Sequence, residues 1–173
     1  LIVGGSLGAR TINESILQHL DLVGQSDVQF IWQTGKVYYE AIKERLEGEE
    51  LPNLRAIDFI SDMGAAYKAA DLVISRAGAS SISEFCLIGK PVVLVPSPNV
   101  AEDHQTKNAM ALVNKNAALY VKDSEAADVL LRTAIQAVGD EVKLKALKEN
   151  ILKLGLKDSA DIIADEVIKL ATR

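Results

Sequence analysis

The sequence predicts an α/β domain with a doubly wound, mainly parallel sheet and helices on both faces. Short apolar segments alternate with amphipathic helical segments along most of the 173 residues, as in strand–helix–strand units. The segment at 92–95 is continuously apolar, which is typical of parallel strands covered on both faces. Hydrophobic residues make up 49% of the chain, enough for one core, so we expect one domain over residues 1–173.

Each element has a local signal. Strand-like segments lie at residues 1–3, 28–33, 54–59, 72–75, 91–95 and 118–121. Helical segments lie at residues 9–20, 37–45, 62–70, 80–88, 102–115, 124–138, 141–154 and 159–171. In the last of these, Ile163, Val167 and Leu170 form an apolar stripe. A turn signal at 138–140 interrupts the C-terminal helices, which we expect to pack on the sheet.

Charge and cysteine content exclude several classes of protein. Asp and Glu outnumber Lys and Arg by 24 to 19, whereas a domain that binds nucleic-acid phosphates needs a basic excess. Cys86 is the only cysteine, so the chain can form neither an intrachain disulfide nor a structural zinc cage, which favours a reducing, cytoplasmic setting. No apolar segment reaches the ~20 residues of a membrane span.

The chain opens inside a predicted strand. Leu1, Ile2 and Val3 run directly into Gly4 with no initiator Met. A native terminus seldom begins in a buried strand, so we interpret the chain as part of a longer protein. Its upstream part would hold the rest of any active site.

Two glycine loops follow predicted strands and open helices. In the first, at residues 4–10 (GGSLGAR), glycine permits close backbone approach, and the helix N-terminus favours an anion. Ser6 adds a hydroxyl donor. The loop matches neither the P-loop nor the dinucleotide fingerprint. It therefore indicates either a phosphate site or a tight turn with a Ser cap.

The second loop, at residues 75–84 (SRAGASSISE), puts Gly78 at the turn and small side chains at the helix start. Ser81 and Glu84 have the spacing of a capping box. A carboxylate at this position can also accept hydrogen bonds from a ribose diol. Spacing alone leaves both interpretations open.

A third polar segment, at residues 96–108, follows the strand at 91–95 and lies at the same sheet edge, where ligands of open α/β sheets bind. Its amide and imidazole groups suit sugar hydroxyls, although Glu102 and Asp103 also suit an ordinary helix start. Apart from His104 the chain has only His19 as a further histidine. We therefore expect no metal site.

Together these motifs resemble the C-terminal half of the MurG family of bacterial peptidoglycan N-acetylglucosaminyltransferases, which have the GT-B fold. The resemblance covers almost the whole chain and includes the glycine loops, FISDM at 59–63, AAY at 65–67, HQ at 104–105 and NA at 108–109. It implies a Rossmann-like domain that binds UDP-GlcNAc. In the family, GlcNAc is transferred with inversion to undecaprenyl-pyrophosphoryl-MurNAc-pentapeptide.

The resemblance also implies roles for individual residues. Ser6 would contact the diphosphate, Ile60 would pair with uracil through its backbone, and Glu84 would hold the ribose hydroxyls. The other implied ligand contacts are Arg76 beside the site, Ala79, Ser80, Ser81, Ile82 and Ser83 at the diphosphate and sugar, and Gln105 with His104 at GlcNAc. Leu7 stands where many relatives have Gln, and His104 where some have a second Gln.

In the family, the catalytic base, the acceptor contacts and the membrane-facing surface lie in the N-terminal half. The resemblance therefore implies that this chain has no catalytic residue, needs no cofactor, and binds UDP or UDP-GlcNAc without turnover. The full-length enzyme would act at the cytoplasmic side of the membrane. The alternatives are another UDP-sugar GT-B enzyme, an enzyme similar to UDP-GlcNAc epimerase, and a non-catalytic nucleotide-binding or protein-interaction domain.

Overall fold

The computed structural model describes residues 1–5 and 7–172, in which six parallel strands form one sheet. The strands are β1 (Ile2–Val3), β2 (Phe30–Gln33), β3 (Leu54–Ile57), β4 (Val73–Ser75), β5 (Val92–Leu94) and β6 (Leu119–Tyr120). Their order across the sheet is β3-β2-β1-β4-β5-β6, which is that of a doubly wound nucleotide-binding domain. The predicted fold class is confirmed.

The helices confirm most of the predicted segments. They are α1 (Arg10–Leu17), α2 (Leu20–Gln25), α3 (Tyr39–Leu46), α4 (Met63–Ala69), α5 (Ala79–Ile88), α6 (His104–Val113), α7 (Ala126–Val138), α8 (Glu141–Leu152) and α9 (Ser159–Ala171). The prediction of one helix at 9–20 is wrong, because His19 leaves the helical conformation (φ −130°, ψ 37°) and a separate α2 follows. Neither Gly nor Pro marks that break in the sequence.

Strand side chains alternate between two apolar cores, one on each face of the sheet. Ile2 and Ile74 belong to the core that α1, α2, α3 and α7 cover. Val3 and Val73 belong to the core that α4, α5, α6 and α8 cover. Both faces are therefore buried, which explains why the strands are continuously apolar.

Helix α9 contradicts the prediction that all C-terminal helices pack on the sheet. None of its described residues is buried. The stripe of Ile163, Val167 and Leu170 is 64%, 59% and 67% exposed. Periodicity predicts an apolar face but does not specify what covers it. Within the described part of the chain, each helix falls short of the length and apolarity needed to cross a membrane.

The order of strands reverses between β1 and β4, at the edge of the sheet where the sequence predicts a ligand site, which we call the ligand edge. Val3 and Ser75, the last residues of these strands, are register partners. The loops that follow them are the two glycine loops, which lead to the N-termini of α1 and α5. Open α/β sheets bind ligands in such a crevice. The fold thus brings both predicted anion-binding loops side by side.

Candidate functional site

The first glycine loop is interlocked with the loop after β2. Gly8 has a φ of +80° and Gly35 a φ of +84°, in the left-handed region that favours glycine. A Cβ on Gly8 would lie 2.1 Å from the Thr34 carbonyl oxygen, and one on Gly35 would lie 2.3 Å from the Gly8 nitrogen. Glycine is therefore required at both positions. Ser6 lies outside the described residues, so its contact with a diphosphate stays a prediction.

Gln33 connects the first glycine loop to the segment after β3. Its side chain is buried, Nε2 donates to the Gly5 carbonyl (3.0 Å), and Oε1 accepts from the Ile60 N–H (2.9 Å). Because this N–H is already bonded, the Ile60 carbonyl is the backbone group left for the predicted pairing with a base.

The second glycine loop ends in the uncapped N-terminus of α5. The helix begins at Ala79, and its N-cap residue, Gly78, provides no side-chain hydrogen bond. The first-turn N–H groups, which have no acceptor within the helix, are those of Ala79, Ser80 and Ser81. Ile82 instead donates its N–H to the Gly78 carbonyl (3.0 Å), and its side chain packs against the core. The Ser83 hydroxyl donates to the Ala79 carbonyl (3.0 Å).

The helix start also shows that the capping-box interpretation of Ser81 and Glu84 is wrong. Since Gly78 is the N-cap, Glu84 lies in the second turn, beyond the position from which a side chain reaches back to the N-cap. The exposed Glu84 carboxylate instead accepts a hydrogen bond from the Tyr67 hydroxyl on α4 (3.1 Å). Burial, followed by the Glu84 charge and hydrogen bond, raises the pKa of Tyr67 to about 12.

Arg76 is bonded inward, at the ends of neighbouring strands. Its guanidinium donates to the carbonyls of Val95 (3.0 Å) and Pro96 (3.3 Å) and forms an ion pair with Asp123. The Asp123 carboxylate also accepts from the Thr11 hydroxyl on α1 (3.1 Å). Arg76 thus ties β4, β5 and the turn before α7 together beside the predicted site.

Gln105 is oriented by the backbone around it. Its Oε1 accepts from the N–H groups of Ala77 (3.2 Å) and Ser97 (2.9 Å). Asn108 donates to the carbonyl of Ala77 (3.1 Å) and so holds the same loop. The amide Nε2 of Gln105 takes no part in these bonds and can donate to a sugar hydroxyl.

His104 is less constrained than Gln105. Its side chain is 59% exposed, with Nε2 3.8 Å from a Glu102 carboxylate oxygen. Over residues 1–5 and 7–172, the structure forms no group of three or more His, Cys, Asp or Glu side chains that could hold a metal ion.

Comparisons with known proteins identify the family of the chain. A model of the glycosyltransferase family 28 C-terminal domain matches residues 1–164. The chain belongs to this family. The match confirms the resemblance that the glycine loops and the FISDM segment suggested.

The family 28 domain has curated relatives of high identity. It is 66% identical over 173 residues to the UDP-N-acetylglucosamine–N-acetylmuramyl-(pentapeptide) pyrophosphoryl-undecaprenol N-acetylglucosamine transferase of Bacteroides thetaiotaomicron, covering 99% of this chain and 46% of the relative. It is 64% identical to the Bacteroides fragilis protein of the same name, covering 99% of this chain and 46% of that relative. The chain therefore spans about half the length of the curated relatives it matches.

Solved structures support the fold assignment. The crystal structure of Acinetobacter baumannii MurG matches the family 28 domain with a TM-score of 0.83 at 31% identity, over 97% of this chain and 48% of that one. The glycosyltransferase SnogD from Streptomyces nogalater matches with a TM-score of 0.60 at 16% identity, over 94% of this chain and 42% of that one. The second likeness shows the fold alone.

Sequence reasoning missed three residues of the family 28 domain that shape this edge. Gln33 ends an apolar strand as a polar residue, which is a usable signal. Tyr67 lies in the quoted AAY segment, but no pattern indicated its bond to Glu84. Asp123 is 47 residues from Arg76, and nothing local links the two.

Proposed function

We propose that this family 28 domain binds the donor UDP-GlcNAc in an enzyme that transfers GlcNAc to undecaprenyl-pyrophosphoryl-MurNAc-pentapeptide. One observation carries the proposal. The N-termini of α1 and α5 follow the neighbouring strands β1 and β4 at the switch point of the sheet, and the Glu84 carboxylate lies in the second turn of α5. This set suits a diphosphate joined to a ribose, and the names of the highly identical relatives specify the sugar and the acceptor.

The diphosphate would lie between the two helix N-termini. Unpaired N–H groups and the helix dipoles favour negative charge there. The first-turn N–H groups of Ala79, Ser80 and Ser81 would bind it from one side. The first glycine loop, with the Ser6 hydroxyl, would bind it from the other. Fixed donors of this kind stabilise the charge that develops on UDP as it leaves.

The nucleoside and the sugar would occupy opposite ends of the same edge. The Ile60 carbonyl accepts from uracil N3–H, and Glu84 accepts from the two ribose hydroxyls while Tyr67 orients its carboxylate. At the other end, Gln105 Nε2 donates to a hydroxyl of GlcNAc. His104 lies beside Gln105 on α6, and Arg76 maintains the loop between the two ends.

The acceptor and the general base would come from the rest of the full-length protein. In the proposed reaction the acceptor hydroxyl attacks the anomeric carbon with inversion, the bond to the diphosphate oxygen breaks, and UDP leaves. A lipid-linked acceptor would bring the full-length enzyme to the membrane surface, and we propose the cytoplasmic side. This chain supplies the donor site.

We expect the chain to bind UDP and UDP-GlcNAc without transferring the sugar. Titration calorimetry should give saturable binding of both, with weaker binding of ADP and dTDP. Ligand at one hundred times its dissociation constant should stabilise the fold by about 2.7 kcal/mol. Absence of a thermal shift with millimolar UDP would refute the donor site. Measurable transfer to a lipid acceptor would refute the assignment of the base to another segment.

Replacing Glu84 by Gln is expected to weaken UDP binding by at least about 10-fold, since two charge-assisted bonds to the ribose diol become one neutral bond. Stability should change little, because Glu84 is exposed and Gln still accepts from Tyr67. Glu149→Gln, which removes an exposed charge on α8, is the matched control and should bind normally.

The Glu84→Gln variant also tests which hydroxyl of the ligand Glu84 contacts. In the unmodified chain 2′-deoxy-UDP should bind less tightly than UDP, and Glu84→Gln should lose most of that preference. This pair of changes is a double-mutant cycle between a side chain and a ligand hydroxyl. If the two effects simply add, Glu84 does not touch the ribose and the nucleotide must be placed elsewhere.

A further inference from the structure

One buried polar side chain at this edge of the sheet would not itself touch the proposed donor. Gln33 is 4% exposed and uses both ends of its amide. One end holds the Gly5 carbonyl of the first glycine loop, and the other holds the Ile60 N–H after β3. These two segments are 28 and 27 residues away in sequence, and this one amide joins them.

We propose that Gln33 is a positioning residue that couples recognition of the base to recognition of the diphosphate. The proposal rests on the donor site proposed above, in which Ile60 faces uracil and the Gly5 loop faces the diphosphate. Gln33 fixes the positions of the two segments relative to each other. The base and the diphosphate of one ligand can then bind to both segments at the same time. It acts through its two backbone partners.

The strand beneath Gln33 is suited to this role because it is rigid. Gln33 is paired in register with Val3 of β1 and Ile57 of β3, so its backbone is fixed on both sides. Its neighbour Trp32 is fully buried and donates through Nε1 to Asn13 of α1 (3.0 Å). The Gln33 amide therefore extends toward the two loops from a strand that is paired on both sides.

The two hydrogen bonds of Gln33 should contribute differently to the binding of different ligands. A ligand that contacts only the uracil side depends on the Ile60 bond. UDP depends on the Ile60 bond and on the Gly5 bond, because it must fit both loops. One lost bond worth about 1 kcal/mol weakens binding about 5-fold, and two such losses weaken it about 25-fold.

The test compares uridine and UDP on two variants by titration calorimetry. Gln33→Met keeps the shape and loses both bonds, so uridine should bind about 5-fold and UDP about 25-fold more weakly. Gln33→Glu keeps an acceptor for the Ile60 N–H, and its carboxyl lacks a donor for Gly5 only when it is ionised, because a protonated carboxyl would donate its O–H there. With the carboxyl ionised, uridine binding should return to within about 2-fold of the unmodified chain while UDP binding stays weak. With the carboxyl protonated at lower pH, UDP binding should recover as well.

A partly buried amide at the opposite sheet edge provides the control. Asn53 donates through Nδ2 to the carbonyls of Val23 (2.7 Å), Ser26 (3.1 Å) and Val28 (3.0 Å), which lie before β2. Asn53→Leu should lower the melting temperature without changing the ratio of uridine to UDP affinities. This separates loss of stability from loss of positioning.

The outcomes distinguish this proposal from the donor site itself. If the unmodified chain does not bind UDP, the donor site is refuted. If it binds UDP and Gln33→Met leaves the uridine-to-UDP ratio unchanged, the coupling role is refuted. Should Gln33→Met fail to fold, UDP binding by Gln33→Glu that stays normal at every pH would refute the coupling role, and selective loss of UDP binding as the carboxyl ionises would support it.

Discussion

Replacing Gly35 by Ala is expected to lower the free energy of unfolding by more than about 2 kcal/mol and to abolish detectable UDP binding. Gly35 has a φ of +84°, and an added Cβ would lie 2.3 Å from the Gly8 nitrogen and 2.5 Å from its Cα. A left-handed Ala alone costs about 1–2 kcal/mol. The overlap adds to this by forcing the first glycine loop outward, away from its place beside α5.

Gly48 offers a matched control. Its φ is +86°, and a Cβ there would meet no atom within 4 Å. Gly48→Ala should therefore show the backbone strain alone, about 1–2 kcal/mol in urea unfolding, with unchanged affinity for UDP. Equal stability losses in the two variants would show that the contact between Gly8 and Gly35 does not constrain the loop.

The second large effect is expected from Asp123→Ala, which leaves the Arg76 guanidinium without its carboxylate. The two side chains are 17% and 18% exposed. Breaking a fully buried pair costs about 3–5 kcal/mol, so we expect about 2–3 kcal/mol after solvent screening. Urea unfolding measures the loss, and Thr11 loses its hydrogen-bond partner in the same variant.

Two further variants test that explanation. Glu166→Ala removes the partner of Lys169 in a pair that is 63–65% exposed, and it should cost less than about 1 kcal/mol. Adding Arg76→Met to Asp123→Ala should recover part of the lost stability, since no charge is then left unpaired. If the double variant is no more stable than Asp123→Ala alone, the unpaired guanidinium is not the cause.

The fold class and the ligand edge followed from local sequence signals. Apolar runs such as 92–95 predict strands covered on both faces, and parallel strands place the loops after them at one edge. Both glycine loops were located in this way. The break at His19 could not be predicted, because it lies in a segment without Gly or Pro.

Residue roles inside the predicted segments were harder to derive. The predicted start of the fifth helix was one residue late, at residue 80 instead of Ala79. Its N-cap proved to be Gly78, which removed the capping box and left Glu84 bonded to Tyr67. An error of one residue in the predicted helix start changes which N–H groups are expected to be free, because only the first turn of a helix leaves N–H groups unpaired.

By itself, the sequence determined the α/β class and the sheet edge at which we propose that a ligand binds, since hydrophobic periodicity and glycine turns act over a few residues. Its motifs also resembled the family to which the chain belongs. Only the tertiary structure decided how that edge is held together. Gln33 meets Gly5 and Ile60, and Arg76 meets Asp123, across 27 to 47 residues of chain. The apolar stripe of α9 shows the same limit, because its period specifies a helix and not the surface that covers it. Such contacts depend on how the strands are ordered in the sheet, which no local pattern encodes.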